Sequence, residues 1–471
     1  MLFPTVDYAL FFLLVFAIAW TLRRPLWLHK ALLLGASYLF YGYWDWRFVP
    51  LLAGISLYAA LIGKALQRVE APRTRRILIA LGVTGCLGTL GFFKYRGFAL
   101  VQLSTAAAKL GFDWAPHIPE VALPVGISFF VFHAISLMAD AYRQKLPVKV
   151  KVLDALLYVA FFPQLVAGPI LRASHFLPQL ARPRDPGDID AARGLELIVI
   201  GLVKKVLIAN FLGTHLVDAV FENPAGRSGL EVLCGVYGYA AQIYGDFSGY
   251  TDIAIGSALL LGYQFPENFR APYLSASPQE FWRRWHISLS TWLRDYLYIS
   301  LGGNRGGTFR TYLNLMLTMV LGGLWHGAAW TFIAWGTLHG VALAVHRAWS
   351  GLSLGRLRES RTWLWVSRLL TFHFVCLGWI LFRAPSFSGA VAVIRGLAAP
   401  WHIGPWLSPA LVLALAGGIA AQYLPESLTD RARLAFCRMP LALQGAAFSS
   451  CVVLIETFGP SGIAPFIYFQ F

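Results

Sequence analysis

Residues 281–307 read FWRRWHISLSTWLRDYLYISLGGNRGG. Arg283, Arg284, His286, Arg294 and Asp295 are ionisable, yet they sit in a chain that is otherwise oily. Ionisable groups at membrane depth are costly. They face protein or a water-filled cavity and mark functional sites. A second stretch, LGGLWHGAAW at 321–330, sets His326 between Trp325 and Trp330 among glycines. At 3.6 residues per turn the first stretch predicts one helix with Trp282, His286 and Ser290 on a shared face. The glycines of GGNRGG then free the backbone for a turn or a broken helix, which lipid forbids unless protein or water covers it. Asn304 and Arg305 sit in that turn, where arginine suits phosphate geometry.

Across the whole chain, the 471 residues are 57% hydrophobic and 13% charged. A soluble domain carries about 25% charged residues. Mean hydropathy is +0.60. The fold class expected is an all-α polytopic membrane protein, 1–471 forming one membrane domain. The net charge of +16 comes from basic residues clustered between apolar runs, as topogenesis in a membrane requires. No basic stretch with interleaved aromatics forms a nucleic-acid groove. The five cysteines include no CxxC pair, so a zinc site is not expected.

A membrane span needs about 20 apolar residues. Thirteen apolar runs lie near 5–22, 30–44, 48–66, 76–93, 121–141, 152–168, 195–221, 229–261, 310–323, 328–348, 364–383, 407–424 and 441–458. Several are short, so the expectation is about 11 spans plus re-entrant or interfacial helices. VDYALFFLLVFAIAWTL lacks a basic flank and a small-residue cleavage site and reads as a retained first span. The connection RRPLWLHK is basic, WDWRF nearly neutral and QRVEAPRTRR strongly basic. That alternation places the N-terminus outside, with the first and third connections and the arginine-bearing 172–194 in the cytoplasm.

Two further groups of polar residues interrupt apolar runs. Asp246 and Asp252 lie close to Ser248 and Tyr250. They form either a hydrogen-bond network between helices or part of a ligand path. The glycines Gly322, Gly323 and Gly327 around His326 allow close backbone approach and would leave room beside the ring for a ligand. His339 and His346 are taken as structural. His286 and His326, 40 residues apart with no HxxxH or carboxylate partner, do not resemble a metal centre. Burial disfavours a charged imidazolium. A buried histidine therefore keeps one nitrogen able to accept a proton, which a general base needs when a hydroxyl attacks a thioester.

These blocks resemble a known family. FWRRWHISLSTWLRDYLYISLGGNR, LTMVLGGLWHGAAWTFIAWGTLHG, PVGISFFVFHAISLMADAYR, FFPQLVAGPILRA and YGYAAQIYGDFSGYTDIAIGSALLLGYQFPENFRAPY are together similar to the membrane-bound O-acyltransferases (MBOAT), in the alginate-acetylating AlgI-like branch. The resemblance implies the MBOAT fold, a ring of tilted helices around a thin centre crossed by a tunnel. It implies acyl transfer from cytoplasmic acetyl-CoA, a substrate and not a bound cofactor, to an exopolysaccharide outside the bacterial inner membrane. It makes His326 catalytic and His286 the second catalytic residue. Trp325, Trp282, Ser290, Asn304, Arg305, Asp246 and Tyr250 are then expected along the donor tunnel. An extracytoplasmic partner is implied, with Phe466, Tyr468 and Phe471 of the terminal FIYFQF as a docking element. Gly245 and Ser300 stand where the family pattern suggests a bulky residue and a proline.

Two competing readings have different marks. D-alanyl transfer to teichoic acid, as in DltB, would need a carrier protein as donor. A transporter without chemistry would show inverted repeats with paired broken helices, which the sequence lacks.

Overall fold

The computed structural model describes residues 1–114, 116, 121–351, 360–458 and 467. Phe466, Tyr468 and Phe471 lie outside the described residues. Among those described there is no strand, and the regular elements are all helices. The principal helices are α1 (Val6–Thr21), α2 (Leu26–Asp45), α3 (Val49–Arg68), α4 (Pro72–Leu90), α5 (Arg96–Lys109), α6 (Ile127–Tyr142), α7 (Val152–Ala160), α8 (Phe162–Leu165), α9 (Ala173–Leu180), α10 (Ala191–Leu202), α11 (Asp218–Glu222), α12 (Gly229–Leu260), α13 (Pro278–Arg284), α14 (Ile287–Trp292), α15 (Thr308–His326), α16 (Trp330–Ser350) and α17 (Arg361–Arg383).

Among the described residues, three helical stretches are long and apolar enough to cross a membrane: Leu26–Arg68, Pro72–Lys109 and Arg361–Arg383. A bent pair, Pro409–Tyr423 with Ser427–Cys437, would make a fourth. The first two run 43 and 38 residues, about 65 and 57 Å at 1.5 Å per residue, well beyond one hydrocarbon thickness. Each is interrupted, by a 3₁₀ turn at Trp46–Phe48 and a π turn at Gly91–Tyr95. By length and hydropathy these are fewer than the eleven or so spans expected. Several apolar runs of the sequence fold as short or broken helices: 152–168 divides into α7 and α8 at Phe161, and 195–221 passes through π segments at Val203–Asn210 and Gly213–Val217.

Two features of the packing position the site. α6 is buried almost all round, as an apolar helix without a polar face must be. Its Phe129 and Phe132 press on Trp325 with ring centres 5.5 and 5.4 Å away, and Phe132 stacks on Trp292 at 3.7 Å. α15 and α16 form a hairpin whose backbones meet at Gly323 and Gly336. A Cβ on Gly323 would lie 3.0 Å from the Gly336 Cα and would strike the Phe332 carbonyl oxygen. These glycines serve helix contact, and the space beside Gly327 is filled by the Phe332 ring. That corrects the expectation that they leave room for a ligand at His326. Gly245 has a similar reason: a bulkier residue there would meet the Lys204 carbonyl at 2.9 Å.

Candidate functional site

The long amphipathic helix expected from 281 onward does not form. α13 ends at Arg284, Trp285 is extended, and His286 has φ 41 and ψ 56. Left-handed backbone at a non-glycine residue costs about 1–3 kcal/mol and persists where the surroundings impose it. Here they do. Asn268 caps the start of α14: its carbonyl accepts from Ile287 N–H at 2.9 Å, and its side-chain Oδ1 accepts from Ser288 N–H at 3.1 Å and Ser288 Oγ–H at 2.8 Å. These bonds satisfy donors that a helix start leaves open. Trp282, His286 and Ser290 therefore do not share a helical face. Ser290 turns back to donate to the Trp285 carbonyl.

The same Oδ1 faces His286 Nδ1 at 3.1 Å. An atom that accepts from a backbone N–H is the amide oxygen, so Nδ1 must carry the ring proton. Nε2 of the neutral ring is then an acceptor. It is fully buried and has no hydrogen-bond partner among the described residues. Phe247 of α12 packs edge-on against the ring at 4.6 Å.

His326 ends α15 and is 3% exposed. Lys94, in the π turn between α4 and α5, donates from Nζ to the carbonyls of Trp325 at 2.6 Å and His326 at 2.9 Å. Tyr95 Oη donates to Leu324 O at 2.8 Å. Three of the carbonyls that a helix C-terminus leaves open are thereby met. Trp325 lies between the two histidines, its ring 5.0 Å from His326 and 6.1 Å from His286. On its other side His326 meets Trp335 at 5.1 Å and Phe382 at 5.2 Å.

Buried side-chain nitrogens are nearly always hydrogen-bonded. Around these rings they are not. Among the described residues, His286 Nε2, Trp325 Nε1, Trp335 Nε1 and Trp282 Nε1 all lack a partner. Neighbouring rings of one aromatic wall thus present unsatisfied polar tips, as a path for a polar substrate does.

The sequence profile of the membrane-bound O-acyltransferase family (MBOAT) matches residues 93–386. The chain belongs to that family. It is 43% identical to a protein of Pseudomonas aeruginosa named probable alginate O-acetylase AlgI, over 80% of this chain and 70% of that one. It is 36% identical to the peptidoglycan O-acetyltransferase of Helicobacter pylori, over 80% and 74%. The teichoic acid D-alanyltransferase of Bacillus subtilis is 30% identical over 58% of this chain and 72% of its own length. The protein is an O-acyltransferase of the membrane.

In this MBOAT chain a cavity of about 1250 Å³ lies against α9, the 182–190 connection, residues 262–267 and α14. Arg172, His175, Arg182, Arg184 and Arg294 line it, and Ser288 brings it within one hydrogen bond of Asn268. Arg172 and Arg294 both pair with Asp295. Burial alone would raise the Asp295 carboxyl, but these two guanidiniums hold it below its ordinary value. Arg184 donates to the Gly262 carbonyl at 3.0 Å. Asn304 and Arg305, expected at the donor from their place in the glycine turn, are both exposed, and neither lines this cavity.

Asp246 is accounted for without a ligand. It is ion-paired to Lys205 and accepts from Ile467 N–H at 2.9 Å. Asp252 pairs with Lys204 at 2.7 Å. Tyr250 is buried, with Phe3 at 5.6 Å and Lys205 Nζ at 5.4 Å from its ring. Sequence reasoning missed Asn268 and Lys94. Nothing local marks either, because their partners lie 18 and 232 residues away.

Proposed function

We propose that this O-acyltransferase takes an acetyl group from acetyl-CoA at the cytoplasmic face of a bacterial inner membrane and passes it towards an exopolysaccharide of the alginate or cellulose type. The N-terminus lies outside, residues 1–471 form one membrane domain, and an extracytoplasmic protein receives or completes the transfer. The observation that carries this reading is the set of buried, unpartnered nitrogens around Trp325. They need a polar guest, and His286 Nε2 is a proton acceptor by its tautomer. The greater identity to O-acetylating relatives than to the D-alanyltransferase favours acetyl as the group moved.

In the step proposed, the acceptor oxygen attacks the thioester carbonyl carbon and His326 takes the hydroxyl proton. The C–O bond forms, the C–S bond breaks, and the thiolate of CoA leaves with the proton returned by His326. A positioned base of this kind contributes about 10²–10⁴ in rate. Trp325 Nε1–H donates to the carbonyl oxygen as its charge develops, which is where a preorganised donor has most effect. His286 Nε2 accepts from a second hydroxyl of the acceptor and so holds the attacking one in line. The arginine-lined cavity receives the phosphates of CoA, since guanidinium geometry matches phosphate.

The test is His326→Ala in cells that make the polymer, with the membrane level of the protein followed by blot. Polymer acetylation is expected to vanish at normal protein level. Wild-type acetylation would remove the assignment.

A further inference from the structure

His339 of α16 takes no part in the step above, yet it is the most conspicuously unsatisfied side chain near it. It is fully buried, and among the described residues neither ring nitrogen has a hydrogen-bond partner. Core histidines need not be left so. His29 of this chain has Nδ1 at 3.1 Å from the Ala19 carbonyl and Nε2 at 3.3 Å from Tyr263 Oη.

The surroundings of His339 repeat the condition. Its ring lies 4.8 Å from Trp335 and 5.2 Å from Trp282, and the Nε1 of each is also buried without a partner. Trp335 and His339 are four residues apart and share a face of α16, while Trp282 arrives from α13. Gly378 of α17 shows where two of these tips converge. A Cβ there would sit 3.1 Å from His339 Nε2 and 3.4 Å from Trp335 Nε1. At Gly378 no side chain stands between these two tips and the helix backbone, and Trp335 links them directly to the His326 ring, 5.1 Å away.

The donor set identifies the guest. Indole N–H groups only donate; a neutral imidazole donates once and accepts once. An O–H group fits this set, accepting from the indoles and donating to the imidazole. An anion would want a cation, and an ammonium would want more acceptors; the walls, Phe281 and Phe374, supply neither.

We infer that His339, Trp335 and Trp282 form a hydroxyl-binding subsite beside His326, which holds either a hydroxyl of the acyl acceptor or an ordered water. This rests on the acyl-transfer reading above.

The test uses membranes of the producing cells, which carry the full chain with its extracytoplasmic partner, together with labelled acetyl-CoA and a short oligomannuronate as acceptor. Labelled saccharide and labelled acetate are measured separately. His339→Phe and Gly378→Ala are expected to lower transfer to the saccharide about tenfold or more, the effect of removing one buried hydrogen bond. His339→Asn, which keeps a donor and an acceptor, recovers part of it. Trp282→Phe removes one N–H with little change in shape and gives a smaller reduction should a larger substitution impair folding. The thermal midpoint of His339→Phe stays level or rises where the subsite awaits the acceptor hydroxyl, because an unsatisfied polar group is removed, and falls where the subsite holds a water. Loss of saccharide labelling with acetate release retained assigns the subsite to the acceptor hydroxyl; loss of both assigns it to a water. Full transfer by His339→Phe and Gly378→Ala beside an active wild type overturns the subsite alone. A wild type that consumes no acetyl-CoA overturns the acyl-transfer reading, and the subsite with it.

Discussion

Asn268 Oδ1 lies 3.1 Å from His286 Nδ1 and decides which ring nitrogen is left for chemistry. The oxygen is identified by Ser288 N–H, which donates to it. One side chain thus fixes a tautomer and caps α14, coupling the local fold to the ring's proton state.

That coupling can be broken by one substitution. Asn268→Leu removes the acceptor at similar volume, so the ring can flip or change tautomer. Acyl transfer should fall by about 10²-fold, within the range attributed to a positioned acid–base group. Asn268→Asp keeps an acceptor for Ser288 and for Nδ1–H, and should retain more activity than the leucine variant. Equal activity in the two, at equal membrane level, would mean that Asn268 acts only as a filler.

The arginine-lined cavity and the glycine turn make opposite predictions for donor binding. Arg182 lines the cavity; Arg305 does not. Arg182→Glu should raise the KM for acetyl-CoA about two- to fivefold, the effect of one exposed ion pair, and the difference should shrink at high salt. Arg305→Glu should leave KM unchanged. A KM raised by Arg305→Glu and untouched by Arg182→Glu would return the phosphate contact to the turn.

What the sequence could convey depended on distance along the chain. The apolar runs, the turn at GGNRGG and the two histidine blocks are local patterns and were legible. Gly302, Gly303, Gly306 and Gly307 do take positive φ. The break at His286 was not legible, because periodicity over 281–294 reads as one helix and the residue that breaks it is Asn268. The same holds for Asp246, whose partner Lys205 sits on the π segment and not on α12. Glycines around His326 looked like space for a ligand. Only the position of α16 shows that backbone occupies it.

Gly323 and Gly54 separate packing from helix propensity. Both are in helices, but a Cβ on Gly54 meets nothing within 4 Å, whereas one on Gly323 drives into α16. Gly54→Ala should be neutral or stabilising by up to about 1 kcal/mol, the propensity difference. Gly323→Ala should destabilise by about 1–3 kcal/mol or more through overpacking. Thermal midpoints in detergent measure both. A Gly323→Ala protein as stable as wild type would show that the hairpin relaxes around the methyl group.

Lys94 tests whether the end of α15 must be held for His326 to work. Its ammonium meets two carbonyls, those of Trp325 and His326. Lys94→Met keeps the length of the side chain and removes the donor. Two carbonyls then lose this donor, at a cost of about 1–3 kcal/mol for a buried acceptor left open, so the thermal midpoint should fall. Activity should fall further than stability, because a shift of about 1 Å in a reacting group costs up to about 10²-fold. Lys94→Arg restores donors to the same carbonyls and should recover stability first, with activity following only as far as the longer fork fits. If Lys94→Met melts lower yet transfers acetyl normally, the lysine supports the fold and does not position His326. If neither quantity changes, water caps the helix in its place.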